Sequence, residues 1–110
     1  MALMDILMKR RSVRSYTGEP VSRKELEKIL TAGLIGPTGK GKKPWRFVVV
    51  TDPEKLEELS GMRKPAPAAF KTAGAAIAVF GDPGVSDTWV EDCSIAMENM
   101  HVMADDLGLG

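Results

Sequence analysis

Apolar residues along the chain change period several times, and each change marks an element. Leu3, Ile6 and Leu7 lie on one side of a short helix predicted over residues 3–9. From Arg10 to Val21 no helical period holds, and Gly18 and Pro20 interrupt the stretch, which reads as extended or looped. Helical spacing resumes with Leu26, Ile29, Leu30 and Leu34. Ser22 and Glu25 stand before them as an S-x-x-E capping box, each side chain satisfying the other residue's free backbone N–H. Gly33 and Gly36-Pro37 bring that helix to an end.

A glycine-, lysine- and proline-rich loop from Gly36 to Pro44 leads into Trp45–Thr51, a β-branched apolar run that reads as a buried strand. Asp52-Pro53 then opens a short helix, with Asp at the cap and Pro in the first turn, and Leu56 and Leu59 face inward. Gly61 to Gly74, with Pro65 and Pro67, reads as a surface excursion. Ala75–Phe80 is a second apolar strand, closed by the turn Gly81–Gly84. Ser86 or Asp87 caps the longest helix, which runs to about Leu107 with Gly108 as its C′ residue. Trp89, Cys93, Ala96, Met97, Met100, Met103, Ala104 and Leu107 recur along it at steps of three and four, a stripe wide enough to bury against a sheet or a partner chain. Methionine-rich stripes fill cores more often than they line ligand pockets, so this one is assigned to packing. Two strands make a marginal sheet. Further strands are expected from a partner subunit or from sequence beyond these residues.

Composition narrows the class. A chain of 110 residues fits one domain, and a 44% hydrophobic content suffices for a core filled mainly by aliphatic residues and methionine. The lone Cys93 excludes an internal disulfide and suits a reducing compartment. No apolar run approaches the ~20 residues of a membrane span, and Asp5, Lys9 and Arg10 spoil any signal pattern at the start. A soluble cytoplasmic protein with no membrane partner is the expectation. Net charge is zero, but residues 1–50 hold 11 Lys/Arg against 4 Asp/Glu, and residues 51–110 hold 4 against 11. An anion site therefore belongs in the first half. Nucleic acid fits poorly, because the basic residues form two compact knots rather than a long stripe. The plainer alternative is two solvated faces that attract each other within the fold.

The first knot is Lys9-Arg10-Arg11-Ser12-Val13-Arg14. Four positive charges in six residues repel one another unless an anion or acidic neighbours compensate them. Guanidinium forks bind phosphate through paired donors, and the Ser12 hydroxyl can donate as well. In an extended segment Arg10, Ser12 and Arg14 share a face, opposite Arg11 and Val13. A basic surface turn at a helix end explains the cluster equally well, since cations suit that end of the helix dipole. The second knot lies in Gly36-Pro37-Thr38-Gly39-Lys40-Gly41-Lys42-Lys43-Pro44-Trp45. Its glycines let backbone approach a flat or charged ligand, and its lysines add positive potential. Gly36 and Gly41 have the G-x-x-x-x-G spacing, but Lys43 stands where a Walker A loop needs Ser or Thr, and the loop enters a strand rather than a helix. The alternative there is a flexible basic connection. No nucleophile triad or metal cluster is present, and the lone His101, mid-helix, reads as structural.

Together these segments resemble the FMN-dependent nitroreductase family. Its R-R/H-S-x-R/K motif after the first helix is matched by Arg10, Arg11, Ser12 and Arg14. Its P-S/T-x-x-N-x-Q-P-W motif is matched at Pro37, Thr38, Pro44 and Trp45, followed by the strand Arg46–Val50. The long helix from Asp87 to Leu107-Gly108-Leu109-Gly110 is similar to the family's central helix. Nearly the whole chain is covered. Two positions depart: the motif Asn is Gly41 and the motif Gln is Lys43.

The resemblance implies an α+β, nitroreductase-like mixed sheet flanked by helices, in a homodimer that binds FMN at its interface. Family members continue past the LGLG segment with another strand, more helix and a C-terminal extension. Residues 1–110 would then be the N-terminal and central portion of a single nitroreductase-like domain. Arg10, Ser12 and Arg14 would hold the phosphate and the polar edge of the flavin, with Arg11 beside them. Pro37, Thr38 and Gly39 would line the ring, Gly41 would offer only backbone groups, and Lys43 would add charge. Arg14 or Lys43 could stabilise an anionic reduced ring. The implied activity is that of an FMN-dependent oxidoreductase, which uses NAD(P)H to reduce nitroaromatic, quinone-like or related acceptors by ping-pong hydride transfer. The cofactor carries that chemistry, so no protein nucleophile or general base is required. The alternative is a truncated, non-catalytic flavin-binding or interaction module.

Overall fold

Capping chemistry sets the start of two helices. In a computed structural model that describes residues 3–62 and 68–110, Ser22 Oγ accepts from the Glu25 amide at 3.1 Å and Glu25 Oε1 accepts from the Ser22 amide at 3.2 Å. This capping box opens α2 (Arg23–Leu34), which follows a first helix, α1 (Leu3–Lys9). Asp52 accepts from the Glu54 amide at 2.9 Å and, with Pro53 in the first turn, opens α3 (Pro53–Ser60). A five-residue helix, α4 (Ala68–Thr72), occupies the end of the stretch that the sequence reads as a surface excursion. Pro65 and Pro67 lie outside the described residues.

The last helix, α5 (Trp89–Asp106), has Thr88 as its N-cap and so begins one or two residues later than its Ser86/Asp87 cap signal predicts. The Ser86 hydroxyl is already committed to a turn, accepting from the Thr88 amide at 3.2 Å and pairing with the Thr88 hydroxyl at 3.0 Å. Gly108 takes φ +79°, as a C′ glycine should.

Strands β1 (Trp45–Val50) and β2 (Ala76–Gly81) pair antiparallel, from Trp45↔Gly81 to Val50↔Ala76. One face packs on the helices. Phe47, Ile77 and Val79 meet Ile29 of α2 and Met100 and Ala104 of α5, while Trp45 joins Cys93 and Ala96 and stacks on Phe47 with ring centroids 5.3 Å apart. Close approaches lock the layers. A Cβ at Gly81 would collide with the Trp89 ring, and one at Gly33 would lie 3.0 Å from the Met100 Cγ and Sδ. Asn99 Nδ2 also donates to the Ala32 carbonyl at 3.0 Å, tying α5 to the end of α2.

Several apolar positions expected to face inward are open. Val48 is 49% exposed and Phe80 56%, so the Arg46–Val48 end of the sheet's second face is open, while Val50, Ala76 and Ala78 on that face are half-buried. Leu3, Leu7, Leu34 and Met97 are exposed as well. Two short strands offer α5 too little surface to cover its whole apolar circumference, and the unbroken Phe47–Val50 run has the character of a strand covered on both faces.

Candidate functional site

The first basic segment leaves the end of α1. The Arg10 amide still donates to the Ile6 carbonyl at 2.9 Å, closing the last helical turn. Arg10 is half-buried, whereas Arg11, Ser12 and Arg14 are exposed. Arg11 donates to the carbonyls of Lys9 and Arg10, both at 3.3 Å. Among the described residues the contacts of basic side chains with carboxylates are Arg23–Glu27 and His101–Glu98, so none of the three guanidinium groups has a carboxylate partner there. The segment's exit is fixed: the Tyr16 hydroxyl donates to the Val13 carbonyl at 2.9 Å, and the Tyr16 amide donates to Thr72 Oγ1 of α4 at 2.9 Å. Guanidinium groups without a carboxylate partner among the described residues, on a segment held at both ends, have N–H donors free for an anion.

The second basic segment is a folded loop around a 3-10 turn at Gly39–Gly41. Thr38 organises it, accepting from the Gly41 amide through its carbonyl at 3.0 Å and from the Lys43 amide through Oγ1 at 3.2 Å. Lys40, Gly41 and Lys43 all have left-handed backbones, with φ of 53°, 66° and 51°. For a lysine that conformation costs about 1–2 kcal/mol, whereas glycine adopts it freely and Asn tolerates it. Gly41 in place of the motif Asn thus keeps the turn while giving up a side-chain amide. Pro37, Lys40, Gly41, Lys42 and Lys43 are exposed, and Thr38 and Gly39 are half-buried. At its exit, Pro44 and Trp45 are buried, and the Pro44 carbonyl accepts from the Asp82 amide at 3.0 Å.

A residue that the sequence reading passed over holds this loop in place. Asp92, 3% exposed, accepts from the Gly39 amide through Oδ1 at 3.0 Å and from the Thr88 hydroxyl through Oδ2 at 3.1 Å. The available signal was an acid inside the apolar stripe, at helical steps from Trp89 and Ala96. Beside Glu91 it looked like an ordinary acidic first turn.

The predicted residues form two groups. Pro37, Thr38, Gly39, Gly41 and Lys43 share one loop, and Arg10, Arg11, Ser12 and Arg14 share the other segment. No hydrogen bond or ion pair among the described residues joins the two. A cavity of about 1240 Å³ among the described residues is lined by none of the nine. Its lining includes Tyr16, Ile29, Ile77 of β2, Met97, His101 and Leu109. His101 Nδ1 sits 3.4 Å from Glu98 Oε1 there. Cys93 is buried, and burial, followed by the nearby Asp92, pushes its thiol pKa up, so it is a poor nucleophile. No group of His, Cys, Asp or Glu suited to a metal occurs among the described residues, and no helix there is long and apolar enough to cross a membrane.

The donor set suits a phosphorylated planar cofactor. Three unpaired guanidinium groups and a serine hydroxyl match a phosphate. The exposed lysine loop presents backbone and positive charge, and at Gly41 a Cβ would meet nothing within 4 Å.

A family model described as "Nitroreductase family" matches residues 7–80. A protein of Archaeoglobus fulgidus, named as a candidate NADH dehydrogenase/NAD(P)H nitroreductase, is 38% identical over 97% of this chain and 63% of its own length. Among solved structures, an FMN-dependent nitroreductase from Clostridium difficile is 42% identical with a TM-score of 0.92, covering 97% of this chain and 62% of that one. A nitroreductase with bound FMN from Bacteroides fragilis is 27% identical with a TM-score of 0.86, covering 98% and 66%. The chain thus spans less than two thirds of the length of the first two. The α+β arrangement is theirs, and the chain belongs to the nitroreductase family.

Proposed function

We propose that this chain is the cofactor-gripping portion of an FMN-dependent NAD(P)H oxidoreductase that reduces nitroaromatic, quinone-like or related acceptors. The observation that carries this reading is the set of unpaired cations at Arg10, Arg11 and Arg14 around Ser12, in a family whose solved members include an FMN-bound nitroreductase. Arg10, Ser12 and Arg14 would bind the phosphate and the polar edge of the flavin. Pro37, Thr38 and Gly39 would lie along the ring, with the Gly41 backbone and the Lys43 ammonium beside it. FMN, when bound, would supply the chemistry, relaying hydride from NAD(P)H to the acceptor in two half-reactions. The chain's own part is to bind, orient and charge-stabilise, and Cys93, whose thiol pKa burial raises, is no candidate nucleophile.

A homodimer fits the surface. Leu3, Met4, Leu7 and Met8 of α1, Val90, Ile95 and Met97 of α5, and Val48 and Phe80 of the sheet are all exposed, and a second copy would cover such faces. Residues 1–110 are proposed as one nitroreductase-like domain, in a cytoplasmic protein. Stopped-flow mixing of the FMN-loaded protein with NADH and with NADPH tests the activity. Bleaching of the oxidised-flavin band, reversed by a nitroaromatic or quinone, is expected. A flavin that binds but stays oxidised would instead favour a non-catalytic binding module.

A further inference from the structure

We infer that Asp92 is a positioning residue that latches the Gly39 loop onto the start of α5 and so sets the loop's competence to bind flavin. The inference rests on the flavin reading for its consequence, but not for its geometry.

Asp92 is a buried acid with no basic partner among the described residues. A carboxyl group so placed needs specific donors to offset its lost hydration. It has two, and they come from different parts of the chain. The Gly39 amide reaches Oδ1 at 3.0 Å from 53 residues away, and the Thr88 hydroxyl reaches Oδ2 at 3.1 Å. Ser86, 8% exposed, braces Thr88 in turn with a hydroxyl contact of 3.0 Å. Asp92 also lies in the first turn of α5, where the helix dipole favours an acid.

The fit around Gly39 points the same way independently. A Cβ on Gly39 would collide with Thr88 Oγ1 and lie 3.4 Å from Thr88 Cβ and 3.5 Å from Thr88 Cγ2. The loop backbone therefore seats directly on the Thr88 side chain, whose hydroxyl is the group that Asp92 and Ser86 hold. The Gly39 amide has no other acceptor among the described residues. Beyond the latch, Lys40 and Lys43 hold left-handed backbones that cost a lysine energy and that a less tightly seated loop would leave. Asp92 thus keeps the strained part of the loop in one conformation, so that ordering it is not charged against ligand binding.

Hydrogen exchange of the whole chain, read alongside FMN titration, tests this. In Asp92→Ala, amides in residues 37–43 should exchange about tenfold faster or more, while those of β1 exchange as in the unaltered protein. FMN affinity should fall about tenfold. Asp92→Asn keeps an oxygen for the Gly39 amide and should stay within about threefold of the unaltered protein in both readouts. Should Asp92→Ala fail to fold, Thr88→Val, which removes the bond to Oδ2, should still raise loop exchange, about threefold. Unchanged exchange at 37–43 in Asp92→Ala, or in Thr88→Val if that variant has to stand in, overturns the latch. So does an Asn variant as impaired as Ala. If the unaltered protein takes up no FMN, the flavin reading fails, and loop exchange still decides the latch.

Discussion

Arg10→Ala separates a phosphate grip from a basic surface turn. Arg10 is half-buried and has no ion pair among the described residues, so its removal breaks no salt bridge there and thins a like-charged cluster. Fold stability should change by no more than about 0.5 kcal/mol, the usual range for a surface substitution away from special features. A hydrogen bond to a charged group contributes about 1.5–3 kcal/mol. Partial exposure places the Arg10–phosphate contact in the lower half of that range, about 1.5–2.25 kcal/mol, or roughly 13- to 45-fold in Kd. The assay is a two-ligand cycle by flavin fluorescence, with FMN and riboflavin titrated into both proteins. FMN should weaken by that factor and riboflavin, which has no phosphate, by less than about threefold. The salt dependence of FMN binding should also become shallower in the variant. Equal weakening of both ligands, or no change with FMN, refutes the assignment of Arg10 to the phosphate.

Three further outcomes are expected. Lys43→Gln should lower the FMN midpoint potential by roughly 10–20 mV, since an exposed charge is worth about 0.5–1 kcal/mol and 30 mV corresponds to about 1.4 kcal/mol for two electrons; an unchanged or higher potential in spectroelectrochemical titration contradicts this. Gly81→Ala should destabilise the fold by about 2 kcal/mol in urea unfolding, because its Cβ would collide with the Trp89 ring and meet Cys93 Sγ at 3.0 Å. Cys93 keeps its proton longer in the folded chain than in the unfolded one, so its contribution to stability is complete below about pH 8.5 and declines as pH rises through the raised folded value. Urea midpoints of Cys93→Ala should therefore fall less steeply in alkali than those of the unaltered protein, and identical slopes would exclude the effect.

Local signals carried much of the fold. The Ser22–Glu25 box, the Asp52-Pro53 entry and the C′ glycine at 108 are nearest-neighbour chemistry, and they stand where the sequence places them. Strands β1 and β2 lie within one residue of their apolar runs. What failed depends on partners distant in sequence. Leu34 and Met97 have helical spacing yet face outward, because spacing defines a stripe and not what covers it. The α5 start shifted because Ser86 bonds within its own turn rather than capping. The two basic segments were visible as charge against charge-poor surroundings. The Asp92–Gly39 bond was not, since a contact across 53 residues leaves no local trace beyond an acid in an apolar stripe. The left-handed backbones at Lys40 and Lys43 were equally hidden, because lysine is a residue that does not advertise them.

Arg10, Ser12 and Arg14, with the Gly36–Pro44 loop, are proposed to hold FMN. Calorimetric titration of FMN into the deflavinated chain, with the absorption spectrum and the mass in solution recorded on the same sample, tests this most directly. Saturable equimolar uptake with a shifted oxidised-flavin spectrum, on a dimer, is the expected result. No heat and an unshifted spectrum at an FMN excess would contradict it.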